Sequence, residues 1–358
     1  MAELVLAGYV QEKGLANSSG GRRPINYSLI ADTHFLVSVA MDQFSAKMVI
    51  VNMNSKFVSE IKRFEFDFFS LQVERLVACI IEFITGTGFD KSCIIGLGIT
   101  MPGFVDTEKG INYTYLKVTG QTLVEYLEQN ISLPVFLDND STAIALAEQK
   151  FGVAAHLKNS MVVNLGWGIG LGMILNEQIF RGNNGLAGEF SHIPLFKNGK
   201  LCTCGKHGCL ETEASLIAVT LTAQQGVRNG QITSLANYKE INADLIIHEA
   251  IKGDAYAVKL ISEAAYKVGR GLAILIHVMN PAAIILSGKG SVVGKLWLAP
   301  IQQAINEHCI PMLTHHTQII LSNLSTKAQL IGSAALVVEN LGEVLETKLQ
   351  EIKEAIAV

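Results

Sequence analysis

Three cysteines in one short loop are the residues whose types and spacing point most directly to chemistry. Cys202, Cys204 and Cys209 enclose Gly205 and Gly208, and these glycines give the backbone the freedom to bend the thiolates toward one centre. Zinc prefers a tetrahedral set of sulfur and nitrogen ligands, so this spacing predicts a zinc-binding loop. The alternative is three free cysteines in a surface loop.

A tetrahedral zinc site needs a fourth ligand, and two histidines are available. His207 lies inside the loop, whereas His192 lies ten residues before Cys202. We favour His192, because a ligand from outside the loop would pin the loop to its domain. Four protein ligands leave no open position for water, which predicts a structural rather than a catalytic zinc. The remaining cysteines stand alone in apolar surroundings, which argues against a disulfide framework: Cys79, Cys93 and Cys309.

The hydrophobic pattern predicts that two successive α/β units position this loop. In the first unit, apolar and β-branched runs predict strands at 35–41, 47–53, 58–66, 93–99 and 135–137, and helical spacing predicts helices at 71–84 and 122–129. Asp140 begins a further helix that continues to Phe151. The second unit has predicted strands at 161–165, 171–175 and 284–286 and predicted helices at 257–279 and 344–356. We therefore assign residues 31–152 and 343–358 to an N-terminal lobe and residues 153–342 to a C-terminal lobe.

The composition is that of a compact globular protein and excludes several classes. The chain has 358 residues, of which 49% are hydrophobic and 17% are charged, so it can bury a sizeable core. A net charge of −4 excludes nucleic-acid binding by bulk electrostatics, so any such contact must be local. The sequence has neither a signal-peptide pattern nor an apolar run long enough to span a bilayer, and we interpret it as cytoplasmic without a membrane partner.

Several stretches of the sequence together resemble one known family. These stretches are residues 188–192, Gly-Glu-Phe-Ser-His, followed by the cysteine loop and Leu210-Glu211, then Asn139-Asp140, and residues 98–103, Gly-Ile-Thr-Met-Pro-Gly. The family is the ROK family, which comprises sugar-responsive transcriptional repressors, sugar kinases and uncharacterised open reading frames. The resemblance implies a two-lobed α/β fold of the actin-like ATPase, ribonuclease H-like (hexokinase) type.

In this family the matching residues line a sugar site in the cleft between the lobes. The resemblance therefore implies that the following residues hold sugar hydroxyls, with His192 also bound to zinc: Gly103, Asn139, Asp140, Glu189, His192 and Glu211. In the family's kinases the residue matching Asp140 is the catalytic base that takes the proton from the attacking hydroxyl. The alternative for Asp140 is a helix N-cap, and both roles are compatible with a protein that only binds sugar.

The loops that match the kinases' phosphate-binding turns depart from the kinase pattern. The kinases carry Asp-x-Gly-Gly-Thr after the first strand, whereas residues 40–45 here read Ala-Met-Asp-Gln-Phe-Ser. The second turn, Gly166-Trp167-Gly168, has an indole where the kinases have a small hydroxyl residue. Gly288 near the expected adenine site is a weak signal by itself. ATP and magnesium are therefore expected as cofactors only if the protein is a kinase.

The first thirty residues favour a regulator over a kinase. Residues 6–10 and 25–29 read as two strands joined by a glycine turn, and the string Gly-Gly-Arg-Arg-Pro ends at Pro24. They resemble the wing of the family's winged helix-turn-helix domain, in which Arg22 and Arg23 would contact DNA phosphates or the minor groove. The family's repressors have further residues before this point, including the helix that enters the major groove. Either the sequence is a truncated form or has a misassigned start, or operator binding has been lost.

These observations predict a sugar-responsive transcriptional regulator, a repressor like those for N-acetylglucosamine or xylose. The expected partners are a sugar or sugar-phosphate effector, and a DNA operator if a full winged helix is present. The expected assembly is a homodimer or homotetramer. One alternative is an ATP-dependent, glucokinase-like sugar kinase, and another is a sugar-binding protein with neither activity.

Overall fold

The computed structural model describes residues 1–15, 23–66, 70–340 and 342 and divides the chain into two units. Unit 1 comprises Met1–Asn139 and Ser333–Val358, and unit 2 is Asp140–Gly332. Each unit contains a five-stranded mixed sheet with helices, so the predicted α/β class is confirmed. Within the described ranges, no helix combines the length and the apolar character needed to cross a membrane.

The helices and strands of unit 1 follow in chain order: α1 (Ala2–Leu6), β1 (Val10–Leu15), β2 (Ile25–Leu29), β3 (Phe35–Met41), β4 (Ser45–Asn52), β5 (Lys62–Glu65), α2 (Val73–Thr87), β6 (Ile94–Met101), β7 (Val105–Asp106), β8 (Ile111–Asn112), α3 (Leu123–Ile131) and β9 (Val135–Asn139). The main sheet has the order β5-β4-β3-β6-β9. The first three strands pair antiparallel, and β6 and β9 are added in parallel. The strands β3 and β6 are buried at every position, as expected for parallel central strands that read as continuous apolar runs.

Unit 2 continues with α4 (Asp140–Phe151), β10 (Ser160–Leu165), β11 (Ile169–Leu175), β12 (Gln178–Phe180), α5 (Leu210–Ala214), α6 (Leu216–Arg228), α7 (Ala243–Ile251), α8 (Ala255–Met279), β13 (Ala283–Ser287), α9 (Lys295–His308), α10 (Pro311–Thr314), β14 (Gln318–Leu321) and α11 (Ala328–Glu339), which ends in unit 1. Its sheet order, β12-β11-β10-β13-β14, repeats the pattern of unit 1, because three antiparallel strands are again followed by two parallel ones. This repeated topology is the one expected for an actin-like, hexokinase-type fold.

The helix α4 belongs to unit 2, although the sequence assigned residues up to 152 to the first lobe. Its apolar residues Ile144 and Ala145 share a hydrophobic cluster with Val162 of β10 and Ile174 of β11. Two glycines of β11 permit this close packing, because a Cβ atom on Gly172 would lie 2.4 Å from the Cβ of Ala145. The contacts therefore divide the chain before this helix rather than after it.

The N-terminal segment differs from its prediction in one element. Residues 6–10 were expected to form a strand, and this was wrong, because the chain is helical to Leu6 and the strand β1 begins at Val10. Gly8 has φ +77 and donates its N–H to the carbonyl of Val5, which ends the helix and turns the chain. The predicted second strand is β2. Residues 17–22 of the predicted glycine turn and the predicted helix at 344–356 lie outside the described residues.

Candidate functional site

A tight hairpin-like loop in unit 2 carries the three clustered cysteines. The backbone N–H of Cys202 donates to the carbonyl of Lys206 at 2.8 Å, and Gly208 N–H donates to the carbonyl of Lys200 at 3.0 Å. Gly208 has φ +75, and a Cβ atom there would lie 1.9 Å from the carbonyl oxygen of Phe196. Glycine is therefore required at this position for the chain to pass so close to the neighbouring backbone.

Four side chains around this loop could hold a metal ion. The ligand atoms of His192, Cys202, Cys204 and Cys209 all lie within 4.8 Å of one another. The Sγ atoms of Cys204 and Cys209 are 3.6 Å apart, and Cys202 Sγ is 3.5 Å from His192 Nδ1. Zinc bonds of about 2.3 Å to sulfur and about 2.0 Å to nitrogen in a tetrahedron give ligand separations of about 3.8 and 3.5 Å. The two measured separations are thus close to those of a tetrahedral zinc site, and the four side chains are of the types that could hold the ion.

The histidine in this cluster is His192, the one favoured from the sequence. Burial lowers the pKa of His192, and the charge of Lys206 adds to this effect, so the ring favours the neutral form that a metal ligand requires. His207 instead places its Nδ1 3.3 Å from the carbonyl oxygen of Gly199. The other ring nitrogen of His192 lies 3.7 Å from a carboxylate oxygen of Glu189, the kind of outer partner that orients histidine ligands.

Three of the predicted sugar residues in unit 2 are carboxylates that influence one another. Burial raises the pKa of Glu211 to about 7, against a hydrogen bond from Ile169 N–H at 2.8 Å, and the charges of Asp140 and Glu189 raise it further. Burial and then the charge of Asp140 raise the pKa of Glu189 to about 7 as well, although solvent reaches 43% of its side chain and screens part of this effect. At neutral pH such groups can both donate and accept hydrogen bonds, as sugar hydroxyls require.

The carboxylate of Asp140 is fixed at the start of α4. Its Oδ1 accepts the backbone N–H of Ser141, the next residue of the helix, at 2.8 Å. Asn164 Nδ2 lies 3.3 Å from Asp140 Oδ2 and 3.1 Å from the hydroxyl of Ser141. Asn164 is a site residue that the sequence reasoning missed. The available signal was an amide next to the end of an otherwise apolar strand.

Side chains of unit 2 account for the lack of a side chain at the three candidate nucleotide-binding glycines. A Cβ atom on Gly168 would lie 2.6 Å from Glu211 Oε1. On Gly166 or Gly288 it would lie 3.3 or 2.2 Å, respectively, from Asn164 Oδ1. These glycines therefore make room for the Glu211 and Asn164 side chains.

Trp167, between two of these glycines, is covered by a charged side chain. The ammonium group of Lys289 lies 4.4 Å from the centroid of the Trp167 ring and 2.7 Å from a carboxylate oxygen of Asp244. Side chains of the protein thus occupy the surroundings of a turn that would have to admit phosphate in a kinase.

The two remaining predicted sugar residues lie in unit 1 and are bonded to each other. Asn139 Nδ2 donates to the carbonyl of Gly103 at 3.1 Å. Gly103 has φ +97, and a Cβ atom there would lie 2.9 Å from the Cβ of Thr114. Of the two candidate DNA-contacting residues, Arg23 is exposed just before β2, and Arg22 lies outside the described residues.

Comparison with known proteins identifies the family of this chain. The model of the ROK family matches residues 47–340. The chain belongs to the ROK family. The predicted resemblance is therefore confirmed, and with it the actin-like fold type shared by ROK repressors and kinases.

Transcriptional regulators and a glucokinase are both similar to this chain, but over different shares of it. The xylose repressor of Caldicellulosiruptor bescii is 30% identical over 95% of this chain and 87% of its own length. The glucokinase of Halalkalibacterium halodurans is 33% identical over 71% of this chain and 79% of its own length. A crystal structure of a ROK family transcriptional regulator, a homologue of the E. coli MLC protein, superposes with a TM-score of 0.80 at 25% identity, covering 98% of this chain and 89% of that one.

The turn that matches the first phosphate loop of ROK kinases is closed by its own side chain. Phe44 and Ser45 stand where those kinases have two glycines, and both backbone N–H groups donate to Asp42 Oδ1 at 2.8 Å. The Ser45 hydroxyl also contacts this carboxylate. Backbone N–H groups that would have to bind phosphate are therefore already bonded to an anionic group.

Proposed function

We propose that this protein is a sugar-responsive transcriptional repressor and not an ATP-dependent sugar kinase. The observation that carries the proposal is the Asp42 turn, whose carboxylate takes up the N–H groups of Phe44 and Ser45. The kinases' Asp-x-Gly-Gly-Thr turn has an aspartate at the same place, so what differs here is the loss of the two glycines. Phe44 and Ser45 bring side chains to the place where phosphate would sit.

The extent of the similarity to regulators supports the DNA-binding part of the proposal. The match to the xylose repressor leaves 5% of the chain uncovered, which is less than the first thirty residues, so it includes part of the β1–β2 hairpin. In this proposal the hairpin acts as a wing, and Arg22 and Arg23 contact DNA phosphates or the minor groove. The protein acts as a homodimer or homotetramer, so that two wings can bind two operator half-sites.

We propose that the sugar effector is bound through the polar residues of the family's sugar motif. Asp140, Glu189 and Glu211 would accept and donate hydrogen bonds to vicinal hydroxyls, and the Nε2–H of His192 would donate to one of them. In unit 1, the family's motif assigns Asn139 and Gly103 to sugar binding as well. A sugar that covers one of these groups and leaves it unpaired would bind more weakly by about 1–3 kcal/mol for each such group.

We propose that zinc is the metal held by His192 and the three cysteines. The support is the separation of the ligand atoms and the chemistry of a donor set with three sulfurs and one nitrogen. The ion would supply structural stability only, since all four positions are filled by protein. Its ligands His192 and Cys209 lie close in sequence to Glu189 and Glu211, so the ion would also hold the segments that carry these carboxylates in place.

Titration calorimetry separates the repressor from the kinase. We expect D-xylose, D-glucose or N-acetyl-D-glucosamine to bind the purified protein, and we expect no heat of binding for ATP with magnesium. DNA fragments from the promoters next to the gene should change fluorescence anisotropy on addition of the protein, and the bound sugar should shift the midpoint. Sugar-dependent release of ADP would overturn the proposal in favour of the kinase. Sugar binding with no DNA response in any fragment would favour a sugar-binding protein with neither activity.

A further inference from the structure

Two aromatic side chains remain exposed on the β7–β8 hairpin, which begins next to Gly103. Solvent reaches 40% of Phe104 and 43% of Tyr113. The two residues are neighbours across the hairpin, because Tyr113 N–H donates to the carbonyl of Phe104 at 2.8 Å. Single exposed apolar residues are common on protein surfaces, but adjacent exposed rings on an ordered hairpin indicate a contact surface.

The hairpin holds these rings in a defined place. The hydroxyl of Tyr113 donates to Asp106 Oδ2 at 3.0 Å, so this ring is fixed through both its backbone and its phenol oxygen. Asp106 is buried and also binds the ammonium group of Lys109 at 2.8 Å. Phe104 N–H donates to the hydroxyl of Thr114 at 3.0 Å. Little conformational entropy would be lost when a ligand packs against the Tyr113 ring, and the backbone that carries Phe104 is also held in place.

The position of the hairpin points to the kind of ligand. Gly103, directly before Phe104, accepts a hydrogen bond from the Asn139 amide, which belongs to the proposed sugar residues. A pyranose has hydroxyl groups around its edge and apolar C–H groups on its faces. Aromatic faces carry partial negative charge, and they attract the partly positive hydrogens of such C–H groups. An amide bonded to Gly103 and an aromatic side chain on the next residue therefore match the two kinds of surface that one sugar presents.

We propose that Phe104 and Tyr113 form an aromatic platform on which the C–H face of the sugar ring stacks. This inference rests on the proposed sugar binding and adds two residues that determine which sugars fit. A sugar with an axial hydroxyl on the stacked face would separate from the rings and bind more weakly, because the hydroxyl would lose water without gaining a partner.

The test compares variants that remove the ring with variants that keep it. Phe104→Leu and Tyr113→Leu keep an apolar side chain without a π-face, and we expect each to weaken binding of the preferred sugar by about 3- to 10-fold. Phe104→Tyr keeps the ring, and Tyr113→Phe keeps the ring without its hydrogen bond to Asp106. Both should retain more affinity for the sugar than the matching leucine variants. The matched control is Phe151→Leu, since Phe151 is 47% exposed and lies at the opposite end of α4 from Asp140.

Calorimetry with D-xylose, D-glucose and N-acetyl-D-glucosamine gives the dissociation constants, and melting temperature and zinc content report on folding. Equal affinities in the leucine variants and the wild type would overturn the platform while leaving sugar binding intact. Equal losses in the leucine and ring-keeping variants would also overturn it, because the hairpin structure rather than the ring would then matter. A wild type that binds none of the three sugars would instead contradict the proposed function itself.

Discussion

Removal of the exposed cysteine from the metal cluster is the sharpest test of the proposed zinc site. Cys204 is the exposed member of the three thiols, so Cys204→Ala removes a ligand and almost no packing. Cys202 and Cys209 are buried, and their truncation would combine metal loss with a cavity. The effect of Cys204→Ala on stability should therefore come almost entirely from weaker metal binding.

The expected magnitude follows from linkage between metal binding and folding. At a free zinc concentration of about 100 times the wild-type Kd, the ion stabilises the fold by about 2.7 kcal/mol. Loss of a ligand should weaken binding by at least about 100-fold, because loss of an outer partner alone costs 10- to 100-fold. Zinc then contributes about 0.4 kcal/mol, so about 2.3 kcal/mol is lost. For a unit of this size the melting temperature should fall by about 5–9 °C.

The assay is thermal unfolding in zinc-buffered solution, with and without EDTA, alongside elemental analysis of zinc. The wild type should lose stability in EDTA, and Cys204→Ala should be low in both solutions. Cys309→Ala is the matched control, because Cys309 is a buried cysteine of unit 2 outside the cluster, so this variant should melt lower but keep the full response to EDTA. A wild-type melting temperature that does not depend on free zinc, or a Cys204→Ala variant that responds like the wild type, would refute the reasoning.

Two further predictions concern the glycines of the metal loop and Asp254, the N-cap residue of α8. Gly208→Ala should abolish zinc retention, because the new Cβ would lie 1.9 Å from a backbone carbonyl oxygen. Gly205→Ala has open space for its Cβ, so it should retain zinc and lower the free energy of unfolding by about 1–2 kcal/mol because of its φ of +83. Equal zinc contents in the two variants would contradict this. Burial alone would raise the pKa of Asp254, but backbone N–H groups of Ala257 and Ser234 donate to its carboxylate and lower the pKa overall. Stability from this charge is thus present above the unfolded pKa of about 4 and is lost as pH falls through the folded value. Asp254→Ala should cost about 1–2 kcal/mol in urea unfolding at pH 7 and clearly less at pH 2, and an equal cost at both pH values would argue against a charged cap.

The parts of the fold that the sequence predicted are those with strong local patterns. The buried strands β3, β6, β10 and β13 are mostly apolar, and α8 keeps an apolar face over its whole length. The predicted strand at residues 6–10 failed because a short apolar segment fits a strand or a helical turn equally well, and Gly8 decides between them through its positive φ. The hydrophobic pattern of so short a segment does not distinguish a strand from a helical turn.

Some residues of the candidate site could be predicted from the sequence and others could not, depending on whether local spacing or tertiary packing brings them together. Cysteines at close spacing on a glycine-rich loop can converge in few ways, so the ligand cluster followed from the spacing together with His192. Asn164 is adjacent to Asp140 only after β10 and α4 pack together, so nothing local connects the two residues. The capture of two backbone N–H groups by Asp42 depends on the geometry of one turn, and the sequence indicated only that the kinase glycines were missing.

The position of the two tryptophans gives the protein a built-in optical reporter. Trp297 is 1% exposed and donates its indole N–H to the carbonyl of Gly290 at 2.8 Å, so its emission should be blue-shifted and steady. Trp167 stands in the turn beside Gly168, against which the Glu211 carboxylate packs, with the Lys289 ammonium over its ring. The emission intensity of Trp167 should therefore change when the Glu211 carboxylate changes its hydrogen-bond partners. The emission of Trp297 should stay constant and serve as the reference within the same spectrum.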